Sequence, residues 1–185
     1  MKREEIVEEV KNLFEYTSNE EWVDASRIKQ LMNAIVVGYS IAFEKALGSG
    51  LTAVGQLLIS EVGDVLSEMV DQLLGAEQLK YSDENRTEII KSALVKLGIA
   101  RTVEVESSNN RHKILISDSI FHPVHMILAK KGYSEFPLSP EGFLCAAIVR
   151  KVLREANSNK QVQITTKLPT DGKTLSIEIN EIKRA

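Results

Sequence analysis

Apolar residues along this chain recur first at three- and four-residue intervals and later at every second position, and the change falls near Arg101. The first regime predicts helices. From Lys2 to Tyr16, Ile6, Val7, Val10, Leu13 and Phe14 share one face, with glutamates on the other. Residues 17–25 read as a linker carrying the only tryptophan, Trp22. A second helix starts after Ser26, a good cap, and carries Ile28, Leu31, Met32, Ile35, Val36, Tyr39 and Phe43 to Leu47, where Gly48-Ser49-Gly50 stops it. The third, from about Leu51 to Leu74, is apolar around much of its circumference, which predicts a central position in the core. Its Gly55 and Gly63 lie on roughly one face and leave room for a close neighbour. Ile89, Ile90, Ala93, Leu94 and Leu97 mark a fourth helix over 84–97, with Gly98 as its stop.

The second regime predicts strands. Thr102–Glu106 and His112–Ile116 alternate around a polar Asn109-Asn110 turn, a hairpin signal because asparagine tolerates left-handed backbone. A short apolar segment, Ile120–Leu128, reads as a short helix and leads into an irregular loop from Lys130 to Leu138. Ser139 then caps a long helix that has Pro140 at its first position and runs to about Ala156, where Asn157-Ser158-Asn159 ends it. Val162–Leu168 and Thr174–Ile182 alternate around an Asp171-Gly172 turn. The predicted class is α+β: helices packed on a four-stranded antiparallel sheet made of two hairpins. Residues 1–25 form an N-terminal helix and linker, and 26–185 a single α+β domain.

Composition narrows the function classes. Of the 185 residues 43% are hydrophobic and 26% charged, and the net charge of -3 offers no basic field for nucleic acid. The lone cysteine, Cys145, has no intrachain disulfide partner, as suits a reducing compartment. The start lacks the apolar core of a signal peptide, and every apolar stretch is broken well short of a membrane span. These features lead us to expect a cytoplasmic protein.

Several segments taken in order carry a family resemblance. They are Ala46-Leu47-Gly48, the helix with Gly63, Lys96-Leu97-Gly98 leading into Val103-Glu104-Val105, and Ile114-Leu115-Ile116-Ser117-Asp118-Ser119-Ile120-Phe121. Gly142-Phe143-Leu144-Cys145-Ala146-Ala147-Ile148 and the terminal hairpin with Asp171-Gly172 complete the set. From about Leu31 to Ile182 the chain resembles the superfamily of 4-vinyl-reductase-type domains, haem-nitric-oxide-binding domains and core subunits of the TRAPP vesicle-transport particle. The resemblance implies a ligand-binding-like domain, either a hydrocarbon sensor or a dimerising scaffold. Many 4-vinyl-reductase-type domains place cysteines around the final hairpin turn. Lys167–Lys173 has none, so no metal role carries over to that turn.

Candidate chemistry is sparse. His122 and His125 stand three apart and could face one side of a helical turn, with Cys145 as a third metal ligand; the plainer reading is two polar residues on a short surface helix. Cys145 itself sits among apolar residues, which favours a small core residue over a nucleophile. Lys130-Lys131 and Arg150-Lys151 with Arg154 read as solvated faces, and Gly48-Ser49-Gly50 lacks the strand and lysine of a phosphate loop. Phe121, Met126, Phe143 and Leu144 offer apolar walls, and Cys145 leaves space beside them, so these five are the candidate ligand-binding residues. The reading that follows is a non-catalytic binding or sensory domain for a small hydrophobic molecule, its cofactor unidentified, assembled as a homodimer through helices. The alternative is a dimerising protein-interaction scaffold of the transport-particle-subunit type without a ligand. An enzyme ranks third, since no catalytic constellation stands out.

Overall fold

The computed structural model describes residues 25–74, 81–82, 84–108, 110–170 and 173–183. The predicted first helix, most of the linker, Asn109 and the Asp171-Gly172 turn lie outside them. Five α-helices are described: α1 (Ala25–Leu47), α2 (Leu51–Leu74), α3 (Arg86–Lys96), α4 (His122–Lys130) and α5 (Pro140–Glu155). Four strands accompany them: β1 (Thr102–Ser108), β2 (Arg111–Ser117), β3 (Lys160–Lys167) and β4 (Thr174–Lys183). They form one antiparallel sheet in the order β1-β2-β4-β3, so the two predicted hairpins join through their second strands. The α+β class is therefore as the periodicity requires.

Alternation decides which sheet face is covered. His112, Ile114 and Ile116 of β2 point inward beside Leu175, Ile177 and Ile179 of β4 and Val162, Ile164 and Thr166 of β3. Ile114 pairs with Ile177, and Ile164 with Ile179. Leu144, Ile148, Val149 and Val152 of α5, with Ile89, Ile90 and Leu94 of α3, complete this core. Each such aliphatic side chain contributes about 1.5–3 kcal/mol on burial.

The helix ends follow local rules. Ser139 Oγ accepts from Gly142 N at 3.1 Å, capping α5 with Pro140 just inside. Gly98 (φ 66°) and Asn157 (φ 50°) take the left-handed conformation that closes α3 and α5. The next residue folds back each time: Ile99 N donates to Leu94 O at 2.9 Å, and Ser158 N to Leu153 O at 2.9 Å.

Two expectations shift. The helix α4 begins at His122, with Phe121 at its N-cap position, rather than at Ile120. The helix α2 is less enclosed than its composition suggests, for Leu57 is 58% exposed. Its inward stripe is Gly55, Ile59, Gly63, Ser67 and Val70, lying against α5 and the loop before it. A Cβ at Gly55 would stand 3.0 Å from Pro137 O, whereas one at Gly63 would meet Ala147 Cβ at 4.0 Å. Gly55 thus serves the close neighbour that the spacing predicts, whereas Gly63 has room for a side chain. The loop after α4 in turn covers one sheet edge: Phe136 N donates to Thr166 O at 2.8 Å and Leu168 N to Ser134 O at 3.0 Å.

Candidate functional site

The five sequence-predicted site residues converge only in part. Phe121, Leu144 and Cys145 are buried members of the core, Phe143 packs against it half-buried, and Met126 is half-buried on α4. Two cavities at the surface, one beside α1 and the loop after α4 and one between α2 and the end of α5, are lined by none of the five. Cys145 is fully buried; burial pushes its thiol well above the ordinary range, and the charge of Glu141 adds to the rise. Burial of this kind works against thiolate chemistry at Cys145.

The two histidines part company. His122 is half-buried, while His125 is buried with its ring edge-on to His122 and to Phe136, at centroid distances of 6.5 and 6.0 Å. His125 Nε2 lies 3.1 Å from Glu141 Oε1, a charge contact rather than a well-aligned hydrogen bond. Among the described residues, no three His, Cys, Asp or Glu side chains converge as metal ligands.

Glu141, unremarked in the sequence, is the hub of a buried polar cluster. Ser119 Oγ donates to its Oε1 at 2.6 Å and Ser139 Oγ to its Oε2 at 2.9 Å. Burial alone would raise the Glu141 carboxyl; the contact and charge of His125, with the Ser119 hydrogen bond, outweigh that and hold it below its ordinary value. Histidine, glutamate and serine here do not form a nucleophilic relay, because the carboxylate touches both partners and no contact joins histidine to serine. The cluster instead ties the start of α5 to α4 and the loop before it. A glutamate two residues after a serine cap, in the first turn of Pro140's helix, is ordinary helix-start chemistry, so periodicity could not single it out.

A second buried carboxylate holds the far end of the sheet. Glu181 Oε1 meets His112 Nε2 at 2.8 Å and Arg86, and its Oε2 meets Lys160 Nζ at 2.8 Å. Glu181 lies on β4 and these partners come from β2, β3 and the start of α3, so only the fold assembles them.

Among the described residues, the outer side of α1 carries a row of exposed large apolar side chains. Val36, Val37 and Ile41 pack toward the core, and Asn33 Nδ2 donates to Ile120 O at 3.2 Å. Met32, Tyr39, Phe43 and Leu47 lie outward along the same helix, Tyr39 being 62% exposed. Tyr39 and Phe43 stand together, ring centroids 6.1 Å apart. Leu57 of α2 is a further large apolar side chain at the surface. Among the described residues, no helix is long and apolar enough to cross a membrane.

No protein-family model matches the chain. Its fold is similar to that of a trafficking protein particle complex subunit 3 from Naegleria fowleri, solved covalently bound to palmitic acid. The TM-score is 0.53 at 10% identity, over 86% of this chain and 99% of that one. This likeness supports the TRAPP part of the resemblance and speaks to fold alone; the comparisons add nothing for the 4-vinyl-reductase or haem-nitric-oxide parts. In sequence, the chain is 50% identical over 165 residues to the uncharacterized protein MJ0312 of Methanocaldococcus jannaschii, covering 85% of this chain and 80% of the relative. Identity at that level over that length places the chain in the same family as the Methanocaldococcus jannaschii protein.

Proposed function

We propose that this chain is a dimerising interaction module, with the outer side of α1 as its contact. The observation that carries this reading is the apolar stripe of Met32, Tyr39, Phe43 and Leu47, which the chain's own described core leaves uncovered. From Met32 to Leu47 the stripe spans roughly 22 Å at 1.5 Å per residue, long enough for a helix-on-helix interface. A patch of large apolar side chains with paired aromatics is a typical contact core. The occupant that fits is a second copy, since two-fold pairing lays the same stripe against itself. The fold neighbour's place as a subunit of a particle is consistent with a scaffold role.

Sedimentation equilibrium tests the proposal. At tens of micromolar the protein should sediment as twice its 20.6 kDa, and a Tyr39→Glu/Phe43→Glu double variant should fall to that mass with its circular dichroism unchanged. A parent protein that sediments at 20.6 kDa under the same conditions sinks the dimer.

One observation favours a second reading. The fold neighbour carries palmitic acid, which suits a hydrophobic ligand held near Phe121, Met126, Phe143, Leu144 and Cys145. Cys145→Phe separates the two. In a filled core the larger ring should destabilise by about 1–3 kcal/mol through overpacking. If the variant melts like the parent and loses uptake of a fatty acid that the parent binds, the ligand reading stands.

A further inference from the structure

The outer stripe of α1 is roughly half a contact by itself. Met32, Tyr39, Phe43 and Leu47 are between 39% and 62% exposed, so at roughly 200 Å² for a large apolar side chain they offer on the order of 400 Å². A stable interface buries about 800 Å² on each partner. Beside the stripe, Gly38, Ala42 and Ala46 are exposed in a row at four-residue spacing. A Cβ on Gly38 would meet nothing within 4 Å. Glycine weakens a helix interior, and here the described fold gives it no close neighbour to make room for. The row leaves space for a further backbone beside the Tyr39 and Phe43 rings.

We propose that residues 2–16 of this chain take that place. The segment lies antiparallel along the Gly38-Ala42-Ala46 row of its own α1 and widens the apolar face that the second copy meets. This rests on the dimer reading and adds the element that completes its contact.

Length, tether, apolar content and charge all suit this occupant. The helical spacing of Ile6, Val7, Val10, Leu13 and Phe14 gives the segment one apolar face in need of cover. At 1.5 Å per residue its helix would run roughly 22 Å, the same span as the stripe. Residues 17–24 join it directly to the start of α1 and reach up to about 26 Å when extended, enough to turn the segment back along the row. Glu4, Glu5, Glu8, Glu9 and Glu15 outnumber Lys2, Arg3 and Lys11, so the segment is acidic. The helix α1 is basic, with Arg27, Lys29 and Lys45 against Glu44 alone. Opposite net charge favours this pairing, and small residues at the contact let two helices approach closely.

Sedimentation equilibrium and limited proteolysis of the full chain test the proposal. Val10→Glu/Leu13→Glu breaks the apolar face of the segment and alters no described residue. Its dimer dissociation constant should rise at least ten-fold over the parent's, with a single cooperative melt retained. Ala42→Glu leaves the segment intact and puts a repelling charge on the exposed row. Tryptic cleavage after Lys11, followed by mass spectrometry above the parent's dissociation constant, should then be at least ten-fold faster than in the parent. A parent that sediments at 20.6 kDa overturns the dimer and this inference together. A dimeric parent overturns this inference alone if Val10→Glu/Leu13→Glu pairs as tightly as the parent, or if Ala42→Glu leaves cleavage after Lys11 unchanged.

Discussion

Gly142→Ala tests the tightest glycine site among the described residues, between the first turn of α5 and strand β3. An added Cβ would stand 2.7 Å from Thr166 Oγ1, 3.1 Å from Ile164 Cδ1 and 3.5 Å from Ser139 Cβ. The first of these is inside any normal carbon–oxygen contact. Ile164 can yield at its flexible tip, but Thr166 is pinned: it is buried, its carbonyl accepts from Phe136 N at 2.8 Å, and its strand pairs with β4 opposite Ile177. Alanine should gain up to about 1 kcal/mol in helix propensity. Against this, overpacking of a filled interior costs about 1–3 kcal/mol. The expected result is a net loss of about 1 kcal/mol, lowering the melting temperature by about 2–4 °C for a chain of this size. A double-mutant cycle with Thr166→Ala, read by urea unfolding, isolates the cause. Thr166 Oγ1 has no hydrogen-bond partner to lose. In the Thr166→Ala background, Gly142→Ala should become neutral or stabilising, giving a coupling of about 1–2 kcal/mol. An additive cycle, or a Gly142→Ala single variant as stable as the parent, would refute the reasoning.

Acid unfolding should report on the buried carboxylates. The Glu141 carboxyl titrates below its ordinary value of 4.5 in the fold, so around that pH the unfolded chain binds more protons than the folded one. Its stabilisation is complete above the ordinary value and is lost as pH falls through the lowered one. Glu178 and Glu181 are lowered too and share the slope. In chemical denaturation from pH 6 to pH 3, Glu141→Gln should flatten that slope but not abolish it; an unchanged slope would contradict the assignment. At Gly63 an added Cβ meets only ordinary contacts, Arg150 Nη1 at 3.9 Å and Ala147 Cβ at 4.0 Å. Gly63→Ala should therefore stabilise by about 0.5–1 kcal/mol through helix propensity, and a destabilised variant would show that α2 sits closer to α5 than described.

What the sequence made legible were features governed by neighbours in the chain. Ser139 as a cap, Pro140 at the first turn, and Gly98 and Asn157 as stops are local chemistry, and each does in the fold what its type predicts. Alternation in β2, β3 and β4 likewise fixed the covered face of the sheet. The spacing of Gly55 and Gly63 announced a close neighbour, which Pro137 supplies at Gly55 and which Gly63 lacks. The polar clusters were not legible. Glu141 with His125, Ser119 and Ser139 draws on separate segments, as does Glu181 with His112, Arg86 and Lys160. No periodicity encodes such a meeting, because a buried carboxylate looks in sequence like a surface one.

The helix α1 shows why an apolar pattern can be read correctly and still understate its meaning. Met32, Val36, Tyr39 and Phe43 follow helical spacing, and the simplest inference is one buried face. The fold divides them. Val37 and Ile41 turn to the core, while Met32, Tyr39, Phe43 and Leu47 fall on a side rotated by more than a quarter-turn, given 3.6 residues per turn, with Val36 on the edge that still reaches the core. An amphipathic helix serving one interface needs only one stripe. A second stripe of large side chains is costly to leave in water and adds little to the fold that the first does not already provide. Width of the apolar arc, rather than its period, is thus the quantity in the sequence that signals a second interface. Among the described residues that width is found on α1, which is why we propose the dimer contact there and not on the largely polar open face of the sheet.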